Sequence, residues 1–100
     1  MKRVIFNQYV ALVSDLYRIS HEDFFKKSKV RTFTQARHMV YYLCATRPMR
    51  IRWIQEYMRD NGYQIDHSPI IQSVKSIRER VESDKDYASI IKKIEESCEI

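Results

Sequence analysis

One glycine and two prolines in 100 residues leave this chain few places to reverse direction sharply. A multi-stranded β domain needs a turn every several residues, and its tight turns favour glycine and proline. Helices need neither, and the plentiful Lys, Arg, Glu, Gln and Met lose little rotamer freedom in them. The sequence therefore predicts an all-α fold. Hydrophobic residues at 44% supply one core, in a single compact domain over residues 1–100. A chain this short cannot also enclose a large substrate pocket.

Apolar periodicity and local capping signals divide the chain into about six helices. Over residues 4–19, Ile5, Tyr9, Leu12, Val13 and Leu16 fall at helical spacing. Ser20 begins an N-cap pattern with a carboxylate three residues on, and opens a short helix holding Phe24 and Phe25. Lys26 to Arg31 reads as a basic loop. Thr32-Phe33-Thr34-Gln35 matches a capping box, which places a helix start near Phe33, with Ala36, Met39, Val40, Leu43 and Cys44 as the buried stripe. Residues 49–60 put Ile51, Ile54, Tyr57 and Met58 on one face. Asn61-Gly62 is the strongest breaker, since Gly62 can take the left-handed conformation past a helix end. Ile70, Ile71, Val74, Ile77 and Val81 follow as an apolar stripe. Ser83-Asp84-Lys85-Asp86 then caps a last helix in which Tyr87, Ile90, Ile91 and Ile94 face inward.

Charge is distributed unevenly. Between Phe24 and Arg59 lie nine Lys and Arg against the single acid Glu56, whereas from Glu79 to Ile100 seven acids oppose four bases. A one-sided basic stretch is the footprint of a polyanion partner. Cys44 and Cys98 fit no metal spacing and are too few for a disulfide framework, so a reduced, cytoplasmic setting and no metal or cofactor are expected. No stretch approaches transmembrane length. The sequence points away from an enzyme: Cys44 sits on an apolar stripe, and His21, His38 and His67 are scattered, without paired carboxylates or a nucleophile motif. Trp53 and the seven tyrosines suit core packing better than single-strand stacking, because several sit on helical stripes.

The helices near 49–60 and 68–82 flank a glycine-containing turn directly after the basic stretch. That is the layout of a helix-turn-helix, whose second helix enters the DNA major groove and reads bases near its N-terminus. Opposite the apolar stripe of this second helix lie Ser68, Gln72, Lys75, Ser76 and Glu79. Gln72 can bond adenine through both amide groups, and Ser68 and Lys75 can reach bases or phosphates. Phosphates would repel Glu79, so only the first two turns are expected at DNA.

Asp23-Phe24-Phe25-Lys26-Lys27-Ser28-Lys29-Val30-Arg31, continuing to Gln35-Ala36-Arg37-His38-Met39, resembles the carboxy-terminal DNA-binding domain of the bacterial replication initiator DnaA, in the Trp repressor/DnaA-like helix-turn-helix superfamily. Asp66-His67-Ser68-Pro69-Ile70-Ile71 is similar to that family's Asp-His-Thr-Thr-Val-Leu signature. The similarity spans about residues 7–96. The resemblance implies double-stranded DNA as the partner, with replication or transcription proteins as further candidates. It places Lys27 and Lys29 in a DNA-binding basic loop, Arg31 in the minor groove, Arg37 on a phosphate, Asp66, His67 and Ser68 among the major-groove readers, and Lys75 on the recognition helix. A minor-groove arginine reads the narrow, negative groove of A·T-rich sequence.

The sequence also departs from the family. Pro69 replaces the signature's second threonine, Ile65 stands where an arginine usually precedes the aspartate, and the turn between the two helices is about four residues longer. No AAA+ ATPase module or phosphate-binding Gly-rich loop occurs in these 100 residues, so the resemblance is to the DNA-reading part of an initiator. Proline suits the first helical position and pushes the residue before it out of helical geometry. Ser68 is therefore expected as the N-cap and Pro69 as the first helical residue, the rival being Asp66 as N-cap with Pro69 third in the helix. The alternative function, in another class, is a protein-interaction module that kept the fold and lost the DNA site.

Overall fold

The structure, a computed structural model, describes residues 1–99. Six helices follow in order: α1 Lys2–Tyr17, α2 His21–Phe24, α3 Arg31–Ala45, α4 Ile51–Asp60, α5 His67–Ser83 and α6 Lys85–Ser97. The all-α fold expected from scarce turn residues is thus present. Among the described residues, no helix is long and apolar enough to cross a membrane.

α3 is the central element, packed against both α1 and α5. Its expected stripe of Ala36, Met39, Val40, Leu43 and Cys44 is fully buried. Arg37, Tyr41 and Tyr42 are buried as well, so this helix is covered on most of its circumference. α1 answers with Phe6, Tyr9, Val10 and Val13, and α4 and α5 add Ile54, Met58, Ile70, Val74 and Ile77. Six tyrosines (Tyr9, Tyr41, Tyr42, Tyr57, Tyr63 and Tyr87) are buried, as the core-packing reading expects. The 46–50 connection is tied down by Arg47, which donates to the Tyr9 hydroxyl at 3.3 Å and to Cys98 Sγ at 3.7 Å.

Three residues read as core-facing lie outside it. Leu16 is 45% exposed, Ile71 52% and Ile90 38%. In α6 the buried set is Tyr87, Ile91 and Ile94, a spacing of four and three, and this leaves Ile90 at the edge of the stripe.

Local chemistry sets the helix ends. Ser20 Oγ accepts from the Asp23 amide at 3.0 Å, and Asp84 Oδ1 accepts from the amides of Asp86 and Tyr87, both at 3.1 Å. Both caps agree with the sequence. Gly62 has φ 85°, with its amide bonded to Arg59 O and the Tyr63 amide to Met58 O. That pair of bonds is a Schellman motif closing α4. α1 closes in the same way through Arg18 at φ 55°, a conformation that strains any residue with a Cβ.

Candidate nucleic-acid interface

Two helix starts differ from expectation, and both reshape the site. α3 begins at Arg31 with Val30 as N-cap, about two residues before the capping-box position. The cause is Arg37, one and a half turns on. Its guanidinium donates to the carbonyls of Phe24 (3.0 Å), Lys26 (3.2 Å) and Ser28 (3.0 Å), and to Thr34 Oγ1 (3.4 Å). Ser28 Oγ in turn accepts from the Val30 amide at 3.2 Å. The basic loop is thus wound around one buried arginine, and this delivers Arg31 as the first helical residue.

Arg37 is 3% exposed. The side chain expected on a DNA phosphate instead organises the loop from within. Guanidinium suits the task, because its fixed fork of donors meets several carbonyls at once and remains charged when buried.

α5 begins at His67, with Asp66 as N-cap at φ −84° and ψ 170°. This corrects the assignment of Ser68 as N-cap and Pro69 as first helical residue. Pro69 stands third in the helix, still within the turn whose amides have no partner four residues back, so its missing N–H leaves nothing unpaired. An N-cap carboxylate ordinarily bonds the second or third amide of its helix. The third is absent here, and Asp66 makes no side-chain cap bond. Its carboxylate is exposed at the start of α5, alongside exposed His67 and Ser68.

The turn between α4 and α5, residues 61–66, is long yet fastened. Gln55 Nε2 donates to Ile65 O at 2.9 Å, Asn61 Nδ2 to Tyr57 O at 2.8 Å, and Lys27 Nζ to Gln64 O. The bond from Lys27 carries the basic loop onto the turn. A recess of about 290 Å³ lies between them, walled by Lys27 and Lys29 of the loop, His38 and Tyr41 of α3, and Pro69 and Ser73 of α5. Burial, and next the Arg37 charge, lower the pKa of His38 and so favour its neutral form. Burial pushes the Tyr41 hydroxyl well above its ordinary value, and no described protein group hydrogen-bonds to it.

On the outer side of α5, Ser68, Gln72, Lys75, Ser76 and Glu79 are exposed as read from the sequence. Gln72, Lys75, Ser76 and Glu79 line one shallow groove. A second groove joins His67 to Arg52, Gln55, Glu56 and Arg59 of α4. Arg52 and Arg59 were counted in the basic stretch but not singled out as site residues. Their spacing of seven, opposite the apolar face of α4, was the available signal. The Arg52 guanidinium lies 5.6 Å from the ring centre of half-buried Trp53, which stacks at 6.3 Å on Tyr57.

Of the nine residues expected at DNA, Lys27, Lys29, Arg31, Asp66, His67, Ser68, Gln72 and Lys75 are exposed and Arg37 is buried. No protein-family model, curated protein or solved structure matches the chain.

Proposed function

We propose that this chain binds double-stranded DNA, with the basic loop and Arg31 in the minor groove and the first two turns of α5 in the adjacent major groove. The reading follows the sequence's resemblance to the DNA-reading domain of DnaA-type initiators, with a role in replication initiation or transcription control. The observation that carries the reading is the meeting of two segments about forty residues apart. The basic loop lies against the turn that leads into α5, bridged by the bond from Lys27 to Gln64. Seven of the nine bases between Phe24 and Arg59 are exposed: Lys26, Lys27, Lys29, Arg31, Arg50, Arg52 and Arg59. Asp66, free of capping, can accept from a cytosine amino group, and Ile71 offers apolar surface to a thymine methyl.

Duplex binding followed across salt concentrations tests this. Neutralising about six phosphates gives a slope of log K against log salt of roughly −5 to −6. A curve indifferent to salt, or no binding at low salt, rejects DNA binding in favour of the protein-interaction module. Arg31→Ala is expected to cost about 1–3 kcal/mol on a site selected from random duplexes and less on random DNA. Equal losses on both would reduce Arg31 to a phosphate contact.

A further inference from the structure

The ring of Tyr63 is buried in the turn between α4 and α5, with two cations against it. Lys27 Nζ of the basic loop stands 4.3 Å from the ring centre, and the Arg37 guanidinium 4.8 Å. Each partner is committed on its other side. Arg37 holds the loop carbonyls of Phe24, Lys26 and Ser28, and Lys27 holds Gln64 O beside Tyr63. The turn is anchored independently to α4 through Gln55 and Asn61. Tyr63 follows the left-handed Gly62 in the motif that closes α4, where an apolar residue packs back onto the domain. The loop and the turn leading into α5 are therefore joined through this aromatic ring as well as through the bond from Lys27 to Gln64 O.

Resting on the DNA reading above, we propose that Tyr63 is a positioning residue that fixes the spacing between the two DNA-reading elements, so that the protein recognises one composite site of constant spacing. The physical basis is preorganisation. Two elements in adjacent grooves reinforce one another fully only when both geometries are met at once, and holding them rigid removes the ordering cost from binding. Cations bind the face of an aromatic ring whether or not it carries a hydroxyl. The device therefore depends on the ring of Tyr63, and Lys27 acts within the protein although it belongs to the basic loop.

The test compares Tyr63→Leu, which removes the π face, with Tyr63→Phe, which keeps it. In the DNA-free protein, amide hydrogen exchange of residues 26–30 and 61–66 is expected to accelerate about tenfold or more in Tyr63→Leu, with the α1 amides unchanged and Tyr63→Phe at the wild-type rate. Selection of bound duplexes from a random pool is expected to return two base blocks at one fixed separation for wild type and Tyr63→Phe. For Tyr63→Leu the same blocks should return at several separations. Unchanged loop exchange in Tyr63→Leu overturns the mechanical link, as does acceleration spread evenly over the whole chain. Fixed separation in the leucine variant overturns the spacing role. A wild-type pool without any motif rejects sequence reading and composite recognition together, whereas the exchange result stands apart from it.

Discussion

Arg37 ties three loop carbonyls and the Thr34 hydroxyl to α3 through one guanidinium. Removing it would leave the buried carbonyl of Phe24 and the part-buried carbonyl of Ser28 without this donor, and would leave Lys26 O only the Ser28 amide; such losses are costly. Arg37→Met is expected to lower unfolding stability by about 3 kcal/mol or more in urea titration, with Arg37→Lys recovering little, since one ammonium cannot reproduce the fork. If stability is unchanged and only DNA affinity falls, the side chain works at the surface. Its neighbour His38 gives a pH signature. Its folded pKa is lowered, so in the pH range just below the ordinary value of 6.5 the unfolded chain binds the extra proton. Its contribution to stability is therefore present above that value and is lost as pH falls through it toward the lowered one. Measured against His38→Gln, wild-type stability should decline as pH drops below 6.5; parallel curves would exclude His38 as the cause. The exposed outer face of α5 was legible in the sequence, because helical period alone assigns it. The burial of Arg37 was not, since a basic residue beside a basic loop reads the same whether it points outward or inward. Tyr63 was equally hidden, its two cations arriving from other segments of the chain.

At the scale of elements, capping chemistry explains which boundaries were readable. Asp84 supports the start of α6 with two amide bonds, so Asp84→Ala is expected to cost about 1–2 kcal/mol, measured by thermal or urea unfolding. A cost near zero would mean that packing of Tyr87 and Ile91 alone sets that end. α1 presents the opposite case. Arg18 adopts the left-handed conformation that favours glycine, and Arg18→Gly is expected to stabilise the protein by about 1 kcal/mol. A destabilised variant would show that the arginine side chain outweighs its backbone strain. The start of α6 is decided by contiguous residues and could be read from the sequence, whereas the end of α1 at Tyr17 could not, because Arg18 takes a conformation that ordinarily marks glycine. Nor could the starts of α3 and α5. A tertiary clasp through Arg37 moved the first upstream. At the second, proline is tolerated anywhere in an opening turn, so Pro69 marked the start of α5 only to within a turn.

Across the whole molecule, basic charge gathers between Lys26 and Arg52, where eight Lys and Arg meet no acid, while the surplus of acids lies from Glu79 onward. The domain measures only 33 × 30 × 25 Å, and screening at physiological salt acts over about 8 Å. The two regions can therefore present distinct fields to an approaching polyanion. Arg3 of α1 pairs with Asp60 at 2.9 Å and lies over Tyr57, which joins the first helix to the end of α4. Trp53, also on α4, is the single tryptophan of the chain, half-buried between the Arg52 cation and the ring of Tyr57. The protein thus carries one indole fluorophore among its aromatic residues, seated on α4 directly before α5. If the proposed duplex draws Arg52 away from the indole, emission from Trp53 is expected to register it, and the spectrum is expected to shift red when the core opens. An unlabelled titration can therefore follow occupancy and unfolding through the same ring.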